Sequence, residues 1–282
     1  MRFQQSLLAC AAPALVAAIT PPNINGMSIV FSEDFEGPAG GSPKADVWNI
    51  MDAINTNNEV QTYTTSNQNV QTSGGGTIQF VPRKSPAGLW TSGRIESKGS
   101  WTPAPGKVTK IQANILLGSN LAINKQGLWP AFWALGDAMR HGTQWPAAGE
   151  IDIMEQVNGL PTGYGTLHCG TAAAGPCNEP LGRGQSVAMP TEGFHTWGVT
   201  IDRTNDDWRA QSISWQLDGN TFSTITGADI NDAPIWSSLA HSPLYVILNV
   251  AIGGDWPGAP NLLTEDGYGS MMEVQWVAIY SS

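Results

Sequence analysis

Along most of the chain, apolar and polar residues alternate in short runs instead of recurring at every third or fourth position. The runs Gly74–Lys84, Gly106–Gly118, Gly149–Val157, Phe194–Asp202, Gln211–Gly219, Pro243–Gly254 and Met272–Tyr280 are rich in Val, Ile, Trp and Thr. They are bounded by Gly, Pro, Asn or Asp. Each predicts a β-strand, and the segments around Arg94 and Trp129–Trp133 read the same way. No amphipathic helix of real length is predicted, and Ile235–Leu239 predicts one or two helical turns. Without a repeat, a low-complexity linker or a break in composition, the pattern predicts one all-β domain. Strand number and spacing favour a β-sandwich.

Composition agrees, since 32 Gly, 19 Pro and only 13% charged residues suit short strands and tight turns better than long helices. A net charge of −10 argues against a nucleic-acid partner, which needs a basic surface. The start, Met1-Arg2 followed by Leu7–Ala12 and Val16-Ala17-Ala18, has the cationic, apolar and small-residue order of a secretion signal. Residues 1–18 are therefore expected to be a signal peptide and 19–282 the mature domain, secreted to the outside or the cell wall and not held in a membrane. Of the three cysteines, Cys10 leaves with that signal, so Cys169 and Cys177 are expected to form a disulfide.

The run Gly149–Gly159 holds three acids, Glu150, Asp152 and Glu155, whose spacing fits no regular element. On a strand, Glu150 and Asp152 share a face while Glu155 has the opposite parity. On a helix, Glu150 and Asp152 lie about 200° apart. A β-bulge at Ile153–Met154 resolves the conflict by adding one residue and turning Glu155 onto the face of its partners. Three neighbouring carboxyls on one face repel, which raises at least one pKa and gives a general acid at near-neutral pH. That is the chemistry of glycoside cleavage, and a carboxyl separation nearer about 5 Å than 9 Å points to retention of configuration.

The run Trp145–Glu155 resembles the bulged Glu-x-Asp-x-x-Glu signature of laminarinase-like members of glycoside hydrolase family 16. The resemblance extends through Phe31–Phe35, Asn57–Thr64, Ser92–Ile95, Trp129–Trp133, Phe194–Trp197, Trp215–Gly219 and Leu248–Pro257. The segment Leu167–Gly170 and Cys177–Glu179 resembles secreted fungal members. The resemblance implies a concanavalin A-like jelly roll of two antiparallel sheets with a concave cleft for β-1,3- or mixed β-1,3(4)-glucans. It also implies roles: Glu150 as nucleophile, Glu155 as acid/base, and Asp152 as the residue that tunes the nucleophile. It implies no cofactor, and the family's structural calcium is not expected because Gln275 stands near the place of a last-strand Asp.

Sugar rings call for aromatic platforms and short polar donors. Trp145 and Trp256 sit in loops and are expected in the cleft, and the family pattern adds Trp129, Trp133 and a hydroxyl donor, Arg94. Asn57 shares parity with Glu59 and is expected to line the cleft, with Asn58 facing away. His168, just before the expected disulfide, is placed to contact Asp152 or the acid/base. His141, His195 and His241 read as structural, and Trp197, Trp215 and Trp276 as core. The partner expected is a β-glucan, met by a monomeric enzyme. The alternatives are a transglycosylase of the same fold and a lectin-like glucan-binding protein.

Overall fold

The alternating runs become strands of two antiparallel sheets in the computed structural model, which describes residues 19–171, 173, 175–190 and 192–282. The predicted signal peptide lies outside the described residues. One sheet has seven strands, in the order Arg183–Ala188, Thr162–His168, Glu150–Glu155, Leu128–Gly136, Leu244–Ile252, Arg94–Ser97 and Trp48–Ile50. The other is built around Val108–Leu117 and Met272–Ser281, flanked on one side by His195–Asp202, Ser212–Leu217 and Asn220–Thr226. Between the sheets, one cluster of buried side chains includes Ile151, Ile153, Met154 and Leu167 from the first and Trp197, Trp215, Val199 and Ile279 from the second.

Two departures from the sequence reading have clear causes. The run Gly74–Lys84 gives not one strand but two, Ile78–Phe80 in the second sheet and Arg83–Lys84 in a small separate sheet with Gln61–Tyr63 and Trp90–Ser92. Pro82 between them cannot donate to a ladder, so pairing stops there. Thr162–His168 was not legible as a strand because Gly163 and Gly165 interrupt its β-forming residues. Both glycines face the core, where a Cβ would come within 2.3 Å of Trp197 and 2.3 Å of Trp215 respectively. The strand lies this close to the opposite sheet only because those side chains are absent. Gly165→Ala is accordingly expected to lower the unfolding free energy by about 1–3 kcal/mol, the cost of overpacking a filled core, as measured by urea denaturation.

The predicted turns at Ile235–Leu239 form a helix, Ala233–Ala240, whose first turn is capped by the Asp232 carboxylate accepting from the Ile235 N–H. Among the described residues no helix is long and apolar enough to cross a membrane.

Candidate active site

The strand Glu150–Glu155 carries the expected bulge. Trp133 pairs with Asp152 and Phe132 with Met154, so Ile153 is the extra residue. On the other side, Asp152 pairs with Thr166 and Glu155 with Tyr164, three positions spanning two. Ile153 and Met154 both turn into the core, and Glu150, Asp152 and Glu155 share the outer face. Gly149 leads in with φ of 81°, a left-handed conformation that favours glycine, and a Cβ there would also meet the Ser238 carbonyl at 2.7 Å. From the opposite sheet, the Trp215 indole N–H donates to the Asp152 carbonyl at 2.7 Å and holds the bulge from beneath. Trp215→Phe leaves that buried carbonyl short of a donor. It is expected to cost about 1–3 kcal/mol in a thermal or urea melt.

Cross-strand pairing lays out the outer face in rows. One row holds Tyr164, Glu155, Ala131, Asn249 and Arg94; the next holds Thr166, Asp152, Trp133, Ile247 and Glu96; the third holds His168, Glu150, Leu135 and Tyr245. Although these residues point away from the core, Asp152 is only 5% exposed and Glu155 only 7%, so surrounding side chains enclose them in a recess. Burial, reinforced by the charge of Glu150, pushes the Glu155 carboxyl up to about 7, against the opposing pull of the Trp129 N–H and His168. Burial likewise raises Asp152 well above the usual carboxylate range, with Glu155 and Glu150 adding to it. Glu150 is also raised by burial, but His168, Trp145 and Arg94 draw it back. Environment therefore raises all three carboxyls, while His168, Trp145 and Arg94 temper the rise at Glu150.

The aromatic residues gather at two ends of the acid row. Trp129 donates its indole N–H to Glu155 at 2.8 Å and meets Trp256 edge to face at 5.6 Å. Trp256 in turn meets Tyr164 at 5.0 Å. Trp145 lies over His168, ring centroids 5.5 Å apart. Trp145 and Trp256 are exposed, whereas Trp197, Trp215 and Trp276 are buried, as their positions in alternating runs predict. Trp133 donates to the Asn249 side chain at 2.7 Å, and the Arg94 guanidinium sits 4.9 Å over the Trp133 ring. Arg94 gives two of its N–H groups to Glu96, at 3.1 and 2.7 Å. The remaining histidines sit away from the acids: His195 pairs with Asp218, His141 with Asp137 and His241 with Gln211.

Asn57 does not follow strand parity, because Asn57 and Asn58 form a turn with φ of 54° and 57°. Asn57 is exposed, and its backbone carbonyl accepts from the Asp255 N–H at 2.9 Å. It is the Asn58 side chain that reaches the Trp256 loop, donating to the Asp255 carboxylate at 2.8 Å.

The residue that sequence reasoning missed is Glu179. It is buried, and its carboxylate faces His168 Nδ1 at 2.7 Å while accepting from the Cys169 N–H at 2.9 Å. The Cys169–Cys177 disulfide is formed and closes the segment that brings Glu179 back to the strand. His168 Nε2 then lies 3.5 Å from Asp152 Oδ2. An acid two residues beyond a disulfide is the only trace of this arrangement in the sequence. Tyr164 was missed because its strand was.

A sandwich whose bulged strand sets three carboxyls among tryptophans has the architecture of a β-sandwich glycosidase. The XgeA-like, catalytic GH16 domain matches residues 115–191. An endo-1,3-beta-glucanase from Streptomyces sioyaensis shares the fold with a TM-score of 0.87 and 36% identity, over 93% of this chain and 98% of that one. The beta-glucanase of Rhodothermus marinus is 30% identical over 266 residues, 89% of this chain and 84% of that protein. Glucan endo-1,3-beta-glucosidase A1 of Niallia circulans is 28% identical over 295 residues, but the chain spans only 39% of its length. The chain belongs to glycoside hydrolase family 16.

Proposed function

We infer that the chain is a retaining endo-β-glucanase cleaving β-1,3- or mixed β-1,3(4)-glucans by double displacement. The observation that carries this reading is the bulge that brings Glu150 and Glu155 to one face, with Glu155 held protonated to about 7. Glu150, at which His168, Trp145 and Arg94 partly offset the effect of burial, attacks the anomeric carbon. Glu155 gives its proton to the departing glycosidic oxygen, then takes one from the water that releases the sugar. Asp152, between them and raised well above the usual carboxylate range by burial, stabilises Glu150 as its charge changes. Trp129, Trp256, Tyr164 and Trp145 offer ring faces to the sugars on either side.

The test is to incubate the protein with laminarin, barley mixed-linkage glucan and a β-1,4-glucan and follow reducing ends and the anomer first released. The reading expects rapid release of shortened β-configured products from the first two. Binding without cleavage, or an α-configured first product, overturns it.

The same reading makes the protein a secreted monomer of the fungal type, supported by the signal-like start and the disulfide beside His168, which suits an oxidising compartment. It needs no cofactor, because the carboxyls perform both proton transfer and attack. Gln275, near the place of the family's calcium-binding Asp, accepts instead from the Asn114 side chain. Added CaCl2 is therefore expected to leave the melting temperature unchanged.

A further inference from the structure

The outer face holds a cluster whose donor atoms suit a metal ion as well as a proton. One ligand atom each from Glu150, Asp152 and His168 lie within 4.8 Å of one another. The His168 ring is fixed by its Nδ1 contact to the Glu179 carboxylate at 2.7 Å. The Glu179 carboxylate thereby aims Nε2 at Asp152, the arrangement in which a carboxylate orients a metal-binding histidine. Asp152 is 95% buried by the complement of its 5% exposure, and its Oδ2 has no hydrogen-bond partner. It faces His168 Nε2 at 3.5 Å, with no hydrogen bond formed between the two atoms. A tetrahedral zinc ion, about 2.0–2.2 Å from nitrogen and oxygen ligands, holds such atoms about 3.3–3.5 Å apart. The 3.5 Å separation fits that edge.

We propose that Glu150, Asp152 and His168 form a binding site for a divalent transition cation of the zinc type, with Glu179 orienting the histidine. A site of one imidazole and two carboxylates selects such an ion over calcium or magnesium, which take oxygen ligands alone. Water fills the fourth position. Occupancy turns Glu150 into a metal ligand, so zinc and glucan exclude one another; this clause rests on the proposed role of Glu150, whereas the binding site itself does not.

The experiment is isothermal titration of ZnCl2 into the purified protein, with circular dichroism to establish that each variant is folded. One zinc per chain is expected, with its signal removed by His168→Ala. Glu179→Gln, which keeps the side-chain shape, is expected to weaken binding about 10- to 100-fold. A double variant, His141→Ala with His195→Ala, tests the exposed histidine–carboxylate pairs and is expected to bind as the parent does. Trp145, its ring centroid 5.5 Å from that of His168, supplies a second readout as a fluorescence change on zinc addition. Failure of the parent to bind at millimolar zinc overturns the proposal, as does unchanged binding in folded His168→Ala or in folded Glu179→Gln. In laminarin assays, zinc is expected to raise the apparent KM without changing kcat. Zinc binding lost with His168 in a protein that cleaves no glucan upholds the site and refutes the enzymatic reading. Cleavage by a protein that binds no zinc does the reverse.

Discussion

Glu150→Ala is expected to lower kcat/KM on laminarin by on the order of 10^4- to 10^6-fold, the scale seen when a covalent nucleophile is removed. The size follows from the absence of a substitute. Asp152, two positions along on the same face, is raised well above the usual carboxylate range by burial and by its acidic neighbours, and its Oδ2 faces His168 at 3.5 Å. The variant retains Glu155, so it keeps the means to protonate a leaving group. With an activated β-linked aryl donor and azide, the smaller anion is expected to enter the space vacated by the carboxylate and yield the α-glycosyl azide. Nuclear magnetic resonance of the product reads the configuration. A β-azide, or no rescue in a folded variant, moves the nucleophile elsewhere.

The second large effect belongs to Glu155→Gln. General acid catalysis contributes about 10^2- to 10^4-fold, and the loss is expected in kcat on polysaccharide, with a much smaller effect on the first step for aryl glucosides that leave without a proton. The pH profile discriminates further. The parent needs Glu155 protonated and Glu150 ionised, so its activity falls as pH rises through about 7, and the amide variant lacks that alkaline limb. Stability moves in a related sense. A carboxyl raised from 4.5 to about 7 on folding binds its proton more tightly in the native state. Its contribution is present in full below the unfolded value and is lost as pH rises through about 7. Glu155→Gln, which cannot ionise, is expected to be more stable than the parent at pH 8, by roughly 2–3 kcal/mol, and to differ little at pH 4. Urea denaturation at the two pH values measures it.

The legible part of this protein was what local rules govern. Alternation gave the long strands, and the parity conflict at Glu155 located the bulge to Ile153–Met154, where the ladder does slip. Loop position marked Trp145 and Trp256 as lying outside the core, and both are exposed. What stayed hidden depends on partners distant in sequence. Gly163 and Gly165 look like strand breakers until Trp197 and Trp215 are seen filling the space beneath them. Glu179 gains meaning only when the chain folds back to put it on His168. Strand parity fails at Asn57, because its left-handed backbone has no alternation. Behind Trp133, the Asn249 side chain donates to the Tyr63 hydroxyl, which donates to Glu59, and these contacts join segments almost 190 positions apart.

Trp215 touches no substrate, yet its ring fills the gap under Gly165 while its N–H reaches the Asp152 carbonyl. Two sheets are thus riveted together directly below the reacting groups. The alignment of attacking and protonating carboxyls is set by how the two halves of the sandwich are seated on each other, and sliding between them disturbs chemistry before it disturbs any strand. Thermal tuning of such an enzyme is therefore a matter of its interior seam as much as of its cleft.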